Sequence, residues 1–190
     1  MGTFNSPFQA PSKLFGPLRG ITGFDIFSPF VATSASIVGN TTTETTLLSI
    51  PGAFGSKTIP AGYLDVGSTI KVYITGSIGT DAVVPSITLN VYHGNTLLST
   101  SVATPATQLT AAYFEYTSTS TVRTVGASGA LITGQIMWIK SLTALGPSAI
   151  PASATVDTTK AGAVDVRIIW GTANANNTIS AVTGYIEVIG

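Results

Sequence analysis

From Thr69 to Ile78 the chain alternates: Ile70, Val72, Ile74, Gly76 and Ile78 at even positions, Thr69, Lys71, Tyr73, Thr75 and Ser77 at odd ones. Successive side chains of a strand point to opposite faces, so the pattern predicts a half-buried strand with one dry face. The period returns downstream. Ile87, Leu89 and Val91 alternate with Ser86, Thr88 and Asn90. His93-Gly94-Asn95 predicts a hairpin turn with the histidine in solvent, and Thr96–Val102 its return strand. Tyr113–Val125 places Phe114, Tyr116 and Val122 on one side and Glu115, Thr117, Thr119, Thr121 and Arg123 on the other, which makes Glu115 and Arg123 a candidate charge pair. Ala130–Lys140 puts Ile132, Gly134, Ile136 and Trp138 on one apolar face, and Ser141–Ser153, with Gly146-Pro147 and Pro151, predicts a loop. Val164, Val166, Ile168 and Trp170 alternate with Asp165 and Arg167, and Thr178–Ile189 is the final strand. About eight strands joined by Gly, Pro and Asn turns, with no convincing helix, predict an all-β sandwich or barrel.

Residues 1–40 break the pattern. Phe4, Phe8, Phe15, Phe24, Phe27 and Phe30 are six of the chain's eight phenylalanines, and Pro7, Pro11, Pro17 and Pro29 interrupt any helix. Neither the 3.6 nor the 2.0 period holds there. The expectation is an extended N-terminal arm ahead of one sandwich domain, residues 41–190. Burying a phenylalanine is worth about 1.5–3 kcal/mol, so six anchors imply that the arm docks on something. Its own domain is one surface; a neighbouring subunit or partner protein is the preferred one.

Composition narrows the function. Only 8% of residues are charged and the formal net charge is zero. Lys and Arg, eight in all, are scattered singly, so no basic stripe for nucleic acid forms and no nucleic-acid partner is expected. Low charge gives little self-repulsion, and surfaces of Thr, Ser and Asn can be buried by other subunits without stranding charges. The absence of cysteine removes disulfide and thiolate chemistry. No apolar run reaches the ~18–20 residues of a spanning helix, and the first residues do not read as a secretory leader, so no membrane is expected.

Candidate chemistry is sparse. His93 is the only histidine, and no Gly-x-Ser-x-Gly elbow accompanies it. The carboxylates Glu44, Asp65, Asp81, Glu115, Asp157, Asp165 and Glu187 read as strand-face or turn residues rather than a glycosidase pair. No loop gathers oxygen ligands as calcium requires. No catalytic residue, metal ligand or cofactor is therefore expected. Trp138 and Trp170 have apolar neighbours at i±2, which assigns both to the core; an exposed tryptophan would instead mark an interface or a sugar-stacking platform.

Thr41–Ile78 reads TTTETTLLSIPGAFGSKTIPAGYLDVGSTIKVYITGSI. With Ser86–Thr100 (SITLNVYHGNTLLST), Phe114–Ser128 (FEYTSTSTVRTVGAS), Val156–Thr159 (VDTT) and Ile169–Ala175 (IIWGTANA), it resembles β-sandwich structural proteins of tailed-bacteriophage virions. The likeness covers roughly the last three quarters of the chain. It implies a jelly-roll sandwich, a non-enzymatic capsid-associated role as a cement, decoration or head-fibre subunit, assembly with itself as a homotrimer, and contact with other virion proteins such as the major capsid protein. It places the chain in the virion, assembled in the bacterial cytoplasm. In that motif Glu44 is flanked by threonines that can donate to it. A tail or receptor-binding module gripping host glycans is the alternative, and a glycan-degrading enzyme a more remote one.

Overall fold

The computed structural model describes residues 38–48, 57–139 and 145–190. The alternating segments are strands, paired antiparallel throughout the described residues. They are β1 (Val38–Gly39), β2 (Thr45–Thr46), β3 (Lys57–Ile59), β4 (Thr69–Gly79), β5 (Ile87–His93), β6 (Thr96–Ala103), β7 (Ala112–Thr124), β8 (Gly129–Ile139), β9 (Leu145–Val156), β10 (Gly162–Trp170) and β11 (Thr178–Ile189). One sheet runs β1-β11-β4-β7-β8-β9. The other runs β2-β10-β5-β6, with β3 also paired to β10. β2 and β3 line the same strand at Ile168–Arg167 and Val164–Gly162, so they act as one interrupted strand.

Counted that way, the chain passes between the sheets in a fixed order. β1 lies in the first sheet, β2/β3 in the second, β4 in the first, β5 and β6 in the second, β7 in the first, β10 in the second and β11 in the first. The sheets thus contain 1-11-4-7 and 2/3-10-5-6, the eight-strand wrap of a jelly roll. β8 and β9 are an added hairpin that widens the first sheet, and β9 bends alongside β6 of the second.

The inner faces supply the core: Ile70, Val72, Ile74, Phe114, Tyr116, Leu89, Val91, Val166, Ile168 and Trp170 are all buried. Leu47 and Leu48, at the end of the threonine run, are buried with them. One polar bridge crosses this core. Gln135 of β8 donates to the Leu89 carbonyl and Ser99 hydroxyl of the opposite sheet, both at 3.1 Å, and accepts from Tyr116 at 2.9 Å. Burial pushes the Tyr116 phenol far up, so it stays a donor. At Gly76 a side chain has no room: a Cβ would lie 1.8 Å from the Ser180 carbonyl oxygen. The pairing of β11 with β4 slips there, between Ala181 and Thr183.

Four expectations are corrected. The buried face of β8 is Leu131, Thr133, Gln135, Met137 and Ile139, so Ile132, Gly134, Ile136 and Trp138 face outward. Hydrogen bonds to Ser120 and Tyr116 let Thr133 and Gln135 occupy the core side. The stretch expected as a loop around Gly146-Pro147 and Pro151 is strand β9. It is an edge strand with two register shifts against β8, where proline's missing N–H costs no ladder bond. His93 closes β5 and is buried at 4% exposure; the turn proper is Gly94-Asn95, with Gly94 at φ 60. Glu115 and Arg123 lie eight residues apart on one strand, roughly 26 Å at a strand's rise, and cannot pair.

The first strand pairs at Val38–Gly39, just ahead of the expected domain start at 41. The expected arm up to residue 37, with Phe4, Phe8, Phe15, Phe24, Phe27 and Phe30, lies outside the described residues.

Candidate functional site

The outer face of the first sheet is the broadest candidate surface. Because side chains alternate, the odd residues of β4 and β7 and the even residues of β8 all project there. Rows run straight across the ladder: Tyr185, Tyr73, Thr117 and Ile136 in one, Thr183, Thr75, Glu115 and Trp138 in the next. Tyr73 and Tyr185 stack at 5.4 Å, with the Lys71 ammonium 5.6 Å from the Tyr185 ring centre. A hydrogen bond from its ammonium to Tyr185 raises the Lys71 pKa.

Between β7, β8 and β9 this face is grooved. Thr117, Thr119 and Thr121 form one wall, Ile132, Gly134 and Ile136 the floor, and Pro151 the far side. Pro151 sits close over Gly134, where an added Cβ would meet its ring at 3.2 Å. The groove encloses about 520 Å³ and carries a single charge, Arg123, among its lining residues. Two residues beyond Ile136 stands Trp138, 48% exposed, opposite Glu115, which accepts from Tyr113 at 3.1 Å. Trp170, by contrast, is fully buried as expected.

The outer face of the second sheet carries a charged network. Glu44 accepts from Asn90 at 2.6 Å, Tyr92 at 2.9 Å and Arg167 at 3.4 Å. Arg167 also donates to Asp165 at 2.8 Å and lies 4.2 Å from the Tyr92 ring centre. Asp165 accepts from Thr46 as well. Burial alone would raise the Glu44 pKa, but the three donors outweigh it and hold the carboxyl below its ordinary value. Glu44 is therefore ionised at neutral pH. These three donors belong to β5 and β10, brought beside it by the sheet.

At one rim Asp81 accepts from Asn174 at 2.9 Å and Asn176 at 3.1 Å, and the Asn177 side chain accepts from the Asp81 amide at 2.9 Å. A shallow recess of about 280 Å³ opens beside Asn176. At the other rim Asp157 caps the turn as expected, accepting from the Thr159 amide at 3.0 Å and pairing with Lys160 at 3.1 Å. These bonds lower its pKa, the Thr159 hydroxyl contributing most. In the Asp65 turn the side-chain bond comes from Ser68, whose hydroxyl accepts from the Asp65 amide at 3.0 Å. Glu187 sits opposite Lys71 across β4 and β11. Among the described residues, no three His, Asp or Glu side chains gather as metal ligands.

His93 is buried at the end of β5. Its Nε2 has no hydrogen-bond partner, and its ring lies against Gly162, where a Cβ would fall 2.2 Å from Cε1. Burial lowers its pKa.

No family model and no curated protein matches the chain. Among solved structures, the CBM2 module of the evolved Dit of Lactobacillus casei BL23 phage J-1 is similar over 85% of this chain and 79% of that one, at 13% identity and a TM-score of 0.35. A likeness this distant carries no argument about function.

The grooved face is apolar and hydroxylic, and its aromatic residues stand at its margins. Sequence alternation missed it because both faces of β8 carry apolar residues; only the neighbouring sheet decides which face is inside. The Glu44–Arg167–Tyr92 network was half visible, since Asp165 and Arg167 share a strand face at i,i+2.

Proposed function

We propose that this chain is a non-enzymatic structural protein of a bacteriophage virion. In the finer reading it is a capsid-associated cement, decoration or head-fibre subunit that self-assembles through its sandwich and is anchored by its N-terminal arm. The observation that carries this is the outer face of the first sheet. Partly exposed Ile132 and Ile136 and exposed Trp138 lie among threonines, and the groove between them carries one charged lining residue, Arg123. Such a face suits contact with other subunits, and the jelly-roll wrap and the virion-protein motifs agree with it. An antibody to this chain, used on purified particles of the phage that encodes it, tests the reading. Labelling of intact heads is expected; particles free of the chain would overturn the proposal.

A second reading, a tail or receptor-binding module for host surface glycans, draws support from the amide-rich rim of Asp81, Asn174 and Asn176. These side chains offer donors and acceptors of the kind sugar hydroxyls use, and Asn176 also lines the shallow recess beside them. A glycan array decides between the two: saturable binding abolished by Asp81→Ala would favour the module.

A further inference from the structure

We propose that the groove across β7, β8 and β9 receives the phenylalanine-rich N-terminal segment, residues 1–37, of a neighbouring copy of this chain. The placement rests on the assembly reading above and names its contact.

Groove and segment match in chemistry. The groove floor is Ile132, Gly134 and Ile136, its wall is threonine, and its one charge is Arg123 at the end. The segment carries six phenylalanines and three charges, Lys13, Arg19 and Asp25. Asp25 falls between Phe24 and Phe27, so apolar anchors flank an anion that complements Arg123. A groove of this volume takes side chains of that size, within the range of ordinary binding clefts.

Length and attachment also agree. The segment joins the domain at β1, the edge of the same sheet opposite β9. Strands lie about 4.8 Å apart, which puts β8 roughly 19 Å from β1. Thirty-seven extended residues reach more than ~100 Å, ample for a second molecule. Within one copy, the direct path over β11 and β4 crosses the ridge of stacked Tyr185 and Tyr73 with Lys71 beside it. A neighbour's segment can lie along β7 and β8 without crossing that ridge.

The chain contains no cysteine, so engineered thiols report the contact cleanly. Full-length protein with Thr119→Cys is mixed with differently tagged full-length protein carrying Phe24→Cys, Phe27→Cys or Phe30→Cys. Mild oxidation is expected to give a disulfide between the two tagged chains in at least one pairing. Thr119→Arg, at an exposed position, is expected to keep the β-type circular dichroism spectrum and weaken self-association by about tenfold or more, the scale of a central interface residue. A disulfide formed only within a chain carrying both cysteines would overturn the exchange between copies. Self-association that persists with no cross-link, and is indifferent to Thr119→Arg, would overturn the groove while leaving assembly standing. A wild-type protein that stays monomeric at every concentration would overturn the assembly reading itself.

Discussion

Acid should weaken this fold through one side chain. His93 is 4% exposed, its Nε2 lacks a partner, and its ring is pressed against Gly162. Protonation would place a charge where neither water nor an acceptor meets that nitrogen, so burial lowers the pKa from its ordinary 6.5. The sign follows. Above pH 6.5 the ring is neutral in both folded and unfolded chains, and this contribution is fully present. Below it the unfolded chain takes up a proton that the folded chain refuses, so stability falls with pH until the folded pKa is reached. The steepest slope one proton can give is about 1.4 kcal/mol per pH unit, a ceiling of about 2 kcal/mol between pH 6.5 and 5. Glu44 and Asp157 have pKa values lowered from 4.5 and 3.8, so the stability they add is lost only at more acid pH. Asp157 and Lys160 line the same recess as the ring but pair with each other. Urea unfolding at a series of pH values, followed by circular dichroism with a constant m-value, reads the slope directly. With one histidine in the chain, His93→Gln should flatten it. An unchanged slope in that variant, or a flat wild-type curve from neutral pH to 5, would refute the reasoning.

Gln135→Leu should destabilise by about 1–3 kcal/mol, because it strands the Tyr116 hydroxyl in the core; adding Tyr116→Phe should recover part of the loss, as a double-mutant cycle in urea would show. Gly76→Ala should cost about 1–3 kcal/mol or more, since its Cβ meets backbone rather than a movable side chain; an unchanged melting temperature would contradict the close approach of β4 and β11. Acrylamide should quench Trp138 and spare Trp170, so Trp138→Phe should remove most quenchable fluorescence while stability stays within about 0.5 kcal/mol.

Alternation and turn chemistry determined much of this protein by themselves. Thr69–Ile78, Tyr113–Val125 and Val164–Trp170 could be nothing but strands, because a period of two and β-branched residues agree along their length. Gly94-Asn95 marked its hairpin, since the first position of the turn takes a positive φ that glycine adopts freely. Low charge and the threonine-rich strand faces were also legible before any coordinates. Only tertiary structure decided which side of β8 is wet. Ile132, Ile136 and Trp138 are more apolar than Thr133 and Gln135, yet the latter find hydrogen bonds inside that satisfy them. The same holds for β9, whose prolines say loop until its place at a sheet edge removes the need for their N–H groups. His93 looked like a turn residue because one step along a strand separates solvent from core, and sequence cannot say on which side of that step the packing of Gly162 will leave it. Local pattern fixes period and punctuation; facing, burial and partnership depend on strands tens of residues away.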